Sequence, residues 1–341
     1  MPINYTPIVI RGVAAEPIIE EILFENQTIS QDLVTFETDV KAETIFTETT
    51  ATAVMQPYTS GVPTTAGTLN AFDSVVTPTK VQFYQEFDPN TLRFSRFKRD
   101  IKPGAFETLI SDEFNRIVIA GMYARQISLA AENEFWNGVT SAQKNAISVL
   151  TANVGQTSVG ATEQAIISAL PASQTNGIVS KMIFNDSNVA GVNAVGGRIK
   201  VVGQAITFSN IKAEYDKVYS AIPAVVLNGA EMPYIYAPRS HKQMIIQANN
   251  VVTDFKKPFD VNESATSFFF NGLEIKFVPL PEKVIICALK SHLVWATDLT
   301  ADINSMQIEK IANNREDMFL KNNMTIAAHV ANQRFNVLYC G

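Results

Sequence analysis

Cysteine and histidine are scarce in this 341-residue sequence, with two of the first and three of the second. Cys287 sits inside the apolar run Val284 to Leu289 and Cys340 beside the C-terminus, so no C-x-x-C pair exists for zinc or thiol redox work. Both are expected to be packing residues with free thiols. His241, His292 and His329 lie far apart and match no H-E-x-x-H spacing. Long apolar runs are missing too. The best, Ile222 to Leu227 and Val284 to Leu289, are strand-length, well short of the roughly 18 residues of a membrane-spanning helix. Met1 to Tyr5 lacks the basic start and long apolar stretch of a signal peptide, so cytoplasmic synthesis is expected. Nor is there an excess of basic charge. The 27 Lys plus Arg against 33 Asp plus Glu give a net charge of −6, which argues against a dedicated nucleic-acid binder.

Catalytic signatures are equally absent. No G-x-S-x-G elbow, G-x-G-x-x-G fingerprint or P-loop occurs, and Gly196-Gly197 before Arg198 reads as turn chemistry. Ser240-His241 follows Pro238-Arg239 and is expected in a surface turn. Asp298, Asp302, Glu316 and Asp317 match no metal loop and read as a solvated charged edge. Glu132 and Glu134, two apart on a helix, point about 160° from each other, so they are expected to be solvated or salt-bridged and make no catalytic pair. No catalytic residue, metal or cofactor is expected.

What is present is a hydrophobic fraction of 46%, enough for one large domain or two ordinary ones. Near the N-terminus, Pro17 to Phe24 places Ile18, Ile22 and Leu23 on one helical face, too short to stand alone, and reads as an arm. Threonines crowd from Thr44 to Thr79, favouring extended chain with little apolar area to bury. Glu43 to Met55 and Val75 to Phe87 are expected as the arms of a long hairpin, with Pro57, Gly61, Pro63 and Gly67 in a wide tip. A two-stranded ribbon is marginal alone in water, so its cover has to come from surfaces it lies across.

Arg93, Arg96, Lys98, Arg99 and Lys102 then interleave with Phe94 and Phe97. Such a segment can bind nucleic-acid backbone and bases; the plainer reading is inward phenylalanines with charges solvated or paired to a neighbour. A helix is expected from about Ala105 to Asn137, roughly 50 Å if unbroken, with Phe114, Ile117, Val118, Gly121, Met122, Arg125, Leu129 and Trp136 along one side and Gly138 as its stop. Ser111-Asp112 could instead cap a second, shorter helix. Beyond Ile147, helices at Thr162 to Leu170 and Ser209 to Ala221 alternate with strands at Tyr234 to Tyr236, Phe268 to Val278, Val284 to Leu289, Met306 to Ile311 and Met324 to Val330, an α+β pattern.

The order of these elements resembles the HK97-fold major capsid proteins of tailed bacteriophages. Tyr123 to Gly138, with alanines and a glutamate before an aromatic and a glycine, is similar to that family's spine-helix ending. Asn271-Gly272-Leu273-Glu274-Ile275-Lys276-Phe277-Val278-Pro279 is similar to its late "G-x-P-V" strand, with Glu274 in place of the usual proline. Val294-Trp295 through Arg315 to Asn322 and on to Arg334 to Val337 resembles its charged turn and long closing strands.

The resemblance implies an HK97-like fold divided as follows: residues 1–42, N-terminal arm and entry to a peripheral domain; 43–87, an extended E-loop; 88–140, the peripheral domain with its spine helix. Residues 141–305 would be an axial domain with 157–205 as an insertion, 306–327 the return strands, and 328–341 the last axial segment. It further implies a non-enzymatic shell protein of the virion, assembled in the host cytoplasm as hexamers and pentamers of many copies. Scaffolding and portal proteins would be separate chains unless the sequence is already a mature form. Packaged double-stranded DNA would be touched non-specifically, with Arg93 to Lys102 at inner-surface or inter-subunit contacts, and no membrane would be involved. No lysine lies between Thr44 and Thr79, and Lys80 stands at the loop's base, so the lysine-asparagine cross-link of some relatives is not expected. An encapsulin-type compartment shares the fold and is the nearest alternative; a β-rich extracellular adhesin or an enzyme with a dispersed site is the more distant one.

Overall fold

A computed structural model describes residues 8–10, 27–53, 55–58, 60–61, 67–87, 121–147, 160–184, 198–251, 257–262, 266–298, 306–311 and 317–341. In chain order its elements begin with β1 (Ile8–Ile10), α1 (Gln27–Ser30), β2 (Thr35–Glu37), β3 (Thr44–Ala53), β4 (Gly67–Val76) and β5 (Thr79–Phe87). Helices α2 (Gly121–Asn137), α3 (Ser141–Ile147), α4 (Ala161–Ala169) and α5 (Ile178–Phe184) follow. Then come β6 (Ile199–Val202), α6 (Ile211–Ser220), α7 (Ala224–Leu227), β7 (Tyr234–Pro238) and α8 (His241–Val251). The chain closes with β8 (Asp260–Val261), β9 (Phe268–Phe270), β10 (Leu273–Val278), β11 (Val284–Ala288), β12 (Leu293–Ala296), β13 (Met306–Lys310), β14 (Met318–Val330) and β15 (Val337–Cys340).

The described strands form three sheets. Seven strands run in the order β6-β15-β11-β7-β10-β9-β8, parallel at β6/β15 and β7/β10 and antiparallel elsewhere. All five residues of β11 are buried, because both faces of this sheet are covered and each side chain has a core to enter. Ile285 and Cys287 enter a core under α6 and α8, while Val284, Ile286 and Ala288 enter a second core shared with α2, α4 and α5. The six-stranded sheet places β1-β13-β14-β12-β2 in line with β5 on β14. Alternation along β14 sends Met318, Leu320, Met324 and Ile326 into that second core and leaves the odd-numbered side chains from Phe319 to Asn323 on the other face. The third sheet is the hairpin β3/β4 alone.

Several expectations are corrected. The hairpin's second arm is β4, not Val75 to Phe87. Thr44 pairs with Val76 and Ala53 with Gly67, whereas Thr79 to Phe87 turns away at Pro78 and pairs with β14. Proline lacks an amide donor, so the ladder breaks there. On α2 the buried stripe is Ala124, Ile127, Ser128, Glu132, Phe135 and Trp136, while Arg125 and Leu129 are exposed. Phe114, Ile117, Val118 and the remainder of the expected helix before Gly121 lie outside the described residues, as do Pro17 to Phe24. Ile167, Ile178, Val179, Met182 and Ile183 of α4 and α5, all fully buried, join the core of α2 and β14. The same core takes Tyr236 and Leu338 from the seven-stranded sheet. Ala224–Leu227, within one of the short apolar runs, is a helical turn with Pro223 at its N-cap.

Candidate assembly interface

The hairpin is the projecting element. Its ten paired positions, at about 3.4 Å per residue, make a ribbon on the order of 30 Å long. Beyond them, Met55 and Tyr58 are almost wholly exposed, and Ile45 is 62% exposed nearer the root. Residues 43–79 carry Glu43, Glu48 and Asp73 and no lysine or arginine.

Among the hairpin's described side chains, those at the root are packed. Val76 joins Val40, Ala296 and Ala327 in a small buried cluster flanked by Phe46. Ser74 Oγ lies 2.9 Å from His329 Nε2 and 3.3 Å from the Phe46 carbonyl, and the rings of Phe46 and His329 stand 5.6 Å apart. Backbone bonds from Val40 to Thr297 (3.0 Å) and from Thr297 to Glu37 (3.0 Å) tie the chain entering the hairpin to the end of β12. Burial, with Lys181 nearby, pushes the His329 pKa down to about 3, so its ring is neutral. Beside the root, β5 and β14 form an open groove of about 480 Å³ with Lys80, Gln82, Asp298, Lys321 and Asn323 among its walls.

The N-terminal segment is fastened at a second joint. Glu132 is buried, yet it accepts hydrogen bonds from Thr28 N (3.0 Å) and Thr28 Oγ1 (2.7 Å) and pairs with Arg239 at 2.9 Å. Trp136 Nε1 donates to Thr28 Oγ1 at 2.8 Å, and Tyr236 O–H donates to the Leu33 carbonyl at 2.6 Å. Thus α1, α2 and the end of β7 meet at one carboxylate. Glu134 turns the other way and accepts from the backbone amides of Gln174 and Thr175, both at 2.7 Å. Glu132 is thus salt-bridged, one of its two expected states, while Glu134 holds the loop after α4 instead.

The remaining singled-out residues that are described stand apart from one another. His241 is fully buried as the first residue of α8, not in a surface turn. Its Nε2 donates to the Glu282 carbonyl (3.1 Å), and its Nδ1 accepts from Tyr215 O–H (3.1 Å). Burial lowers its pKa to about 4 despite that carbonyl. Cys287 and Cys340 are buried free thiols on adjacent strands, each pushed up to about 12 by burial. Asp298 and Asp317 are described, whereas Asp302 and Glu316 are not; among the described residues no cluster could hold a metal ion. No described helix is long and apolar enough to cross a membrane. Arg93, Arg96, Lys98, Arg99 and Lys102 lie outside the described residues. Sequence reasoning missed His329, Ser74 and the triad Glu163, Arg198 and Lys200. In that triad buried Glu163 pairs with both cations at 2.6 Å and ties α4 to β6.

No protein-family model and no curated protein matches this chain. Solved structures do. A chain from the capsid of the native GTA particle is 10% identical with a TM-score of 0.54, covering 99% of this chain and 95% of that one. One from the satellite phage P4 procapsid, which includes size determination (Sid) protein, is 12% identical at 0.52, with 98% and 92% covered. One from Mycobacterium phage Ogopogo is 10% identical at 0.51, with 98% and 93% covered. The chain shares their fold over nearly its whole length.

Proposed function

This chain has the HK97-like capsid fold, and on that premise we propose that it is the major capsid protein of a tailed bacteriophage. Many copies would close into an icosahedral shell around double-stranded DNA. The observation that carries this reading is the hairpin: a ribbon on the order of 30 Å, packed at its root, with Met55 and Tyr58 bare beyond the paired strands. A ribbon of that kind gains its stability from a surface it crosses. A second copy supplies that surface if the contact is head-to-tail, and such contacts close into rings.

Charge supports the choice of partner. The hairpin has carboxylates and no cation, while Lys80 and Lys321 line the groove beside the root, so one copy's hairpin and the next copy's groove are complementary. In this reading β3/β4 is the E-loop, α2 the end of the spine helix, and the seven-stranded sheet the centre of the axial domain. Arg93 to Lys102 would serve inner-surface or inter-subunit contacts. Scaffolding and portal functions would belong to other chains, and the protein's place would be the virion. In this reading the role is structural.

Electron microscopy of the purified full chain tests the proposal. Closed isometric shells are expected, with nuclease-protected DNA inside particles taken from infected cells. A monodisperse monomer at high concentration, or shells filled with a protein cargo, contradicts it.

A further inference from the structure

Strand β5 is paired along one side. It follows β14 from Thr79 opposite Ile326 to Phe87 opposite Met318, residue for residue and without a bulge. No described strand lies along its other side. In an antiparallel pair every second residue turns its amide and carbonyl away from the partner, so that side is a row of main-chain donors and acceptors facing outward. Near the end of the strand Gln85 Nε2 donates to the Glu86 carbonyl at 3.0 Å and shortens the row. Residues 79–83 are left, roughly 17 Å of strand at about 3.4 Å per residue.

Proteins keep an exposed edge single with proline, a bulge or charge. Pro78 stands just before the strand and the register is unbroken, so Lys80 is the only such device within residues 79–83. Val81 and Phe83 pack against the core of α2 and β14 yet are half-buried, because the sheet stops beside them. A strand added there covers the rest of both side chains.

The hairpin is the matching piece. β3 and β4, 10 residues each, pair with each other and with no other described strand, so the ribbon also has outer sides. A two-stranded ribbon gains stability from a third strand. The charges of residues 43–79 are all negative, so Lys80 attracts this ribbon where it would repel a basic strand. The subunit's own β4 does not fill the edge, although only Thr77 and Pro78 separate it from β5: its root is held by His329 and by the cluster of Val40 and Val76.

We propose that the edge at residues 79–83 takes up the hairpin of a second copy by main-chain hydrogen bonding, which makes one sheet of two subunits. The inference rests on the assembly reading above and supplies its mode of contact. In strand addition the main-chain bonds give affinity, and side chains such as Lys80 give specificity. A hairpin laid flat across the face of β5 and β14 would use side chains alone and leave the edge amides in water.

Hydrogen exchange of the full chain before and after assembly, read by mass spectrometry, tests this. Amides within residues 79–83 that exchange rapidly in the unassembled chain should slow at least tenfold in shells, together with amides of β3 or β4. Shells that form while residues 79–83 keep their exchange rates overturn the inference and leave the assembly reading standing. Protection of residues 79–83 without a change in β3 or β4 means that another segment fills the edge, which overturns it too. A chain that forms no particles removes both. Proline gives a second readout. Of Val81→Pro and Gln82→Pro, one removes an amide bonded to β14 and lowers the Tm of the unassembled chain. The other removes an outward amide, keeps that Tm within a few degrees and should slow particle formation at least tenfold; assembly of this variant at the wild-type rate overturns the inference. Where both proline variants fail to fold, the exchange measurement carries the comparison.

Discussion

Ser74 on β4 and His329 on β14 meet at 2.9 Å, and the same imidazole lies against Phe46 on β3, so one buried histidine touches both arms of the hairpin. Replacing His329 with leucine removes one of the two partners of Ser74 Oγ, which keeps the Phe46 carbonyl at 3.3 Å. A loss of about 0.5–1.5 kcal/mol is expected in denaturant unfolding, the net worth of one hydrogen bond. Ser74→Ala should cost less in the His329→Leu background than in the wild type, because the shared bond is already gone. An equal cost in both backgrounds would show that the contact has no energetic role.

His329 and His241 also set a dependence on pH. Both pKa values lie below the ordinary 6.5, at about 3 and about 4, because burial disfavours the charged ring. The unfolded chain therefore binds more protons than the folded one between about pH 4 and 6.5. Stability is full above that window and falls as the pH drops through it, by at most about 1.4 kcal/mol per unit for each histidine. Unfolding of the full chain measured from pH 4 to 8 should show this slope, and His329→Leu should reduce it. A flat profile in the wild type would mean that the two rings are not buried neutral.

At the joint of α1, α2 and β7, Glu132→Ala removes the carboxylate that pairs with Arg239 and accepts from Thr28 N and Oγ1. Loss of one member of a buried pair costs about 3–5 kcal/mol. Arg239 is 43% exposed and can turn to solvent, so the low end is expected, and Arg239→Met should cost less than Glu132→Ala. Chemical denaturation of the two variants gives the order; the reverse order would place the energetic weight on Arg239.

Gly138 closes α2 against the loop after α4. A Cβ there would stand 2.5 Å from the carbonyl oxygens of Glu134 and Thr175, both backbone atoms that cannot swing away. Gly138→Ala is expected to destabilise by about 1–3 kcal/mol through overpacking, read as a lowered Tm. No change in Tm would mean that the loop can retreat freely.

Parts of this architecture were legible in the sequence for plain reasons. Asn271-Gly272 marks a tight turn, and both residues take positive φ, 49° and 85°, as a type I′ hairpin requires. The apolar run Val284 to Leu289 marks a central strand because both faces of its sheet are covered. Other parts were hidden. The buried stripe of α2 contains Ala124, Ser128 and Glu132, which a search for large apolar residues passes over. Lys321, Asn322 and Asn323 interrupt the apolar pattern of β14, so its first half was not read as strand, although Asn322 is fully buried. His241 beside Ser240 looked like a surface pair because its partners, Tyr215 and the Glu282 carbonyl, are distant in sequence. Of the candidate interface, the threonine-rich ribbon was visible and its histidine-clasped root was not.

Charge reversal of the groove addresses the fit between copies. Lys80→Glu with Lys321→Glu should leave the subunit folded, since both lie on the open face of β5/β14, yet slow particle formation at least tenfold by light scattering. Unchanged assembly kinetics would remove this groove as the receiver of the hairpin.

The most direct test of the central claim removes the ribbon and keeps its root. Thr47 and Asp73 are paired, so an Asn-Gly turn in place of residues 48–72 closes the hairpin in register while sparing Phe46, Ser74 and Val76. Electron microscopy and sizing of this variant beside the full chain should find a folded subunit that forms no shells where the full chain forms them. Intact shells from the trimmed chain would contradict the account.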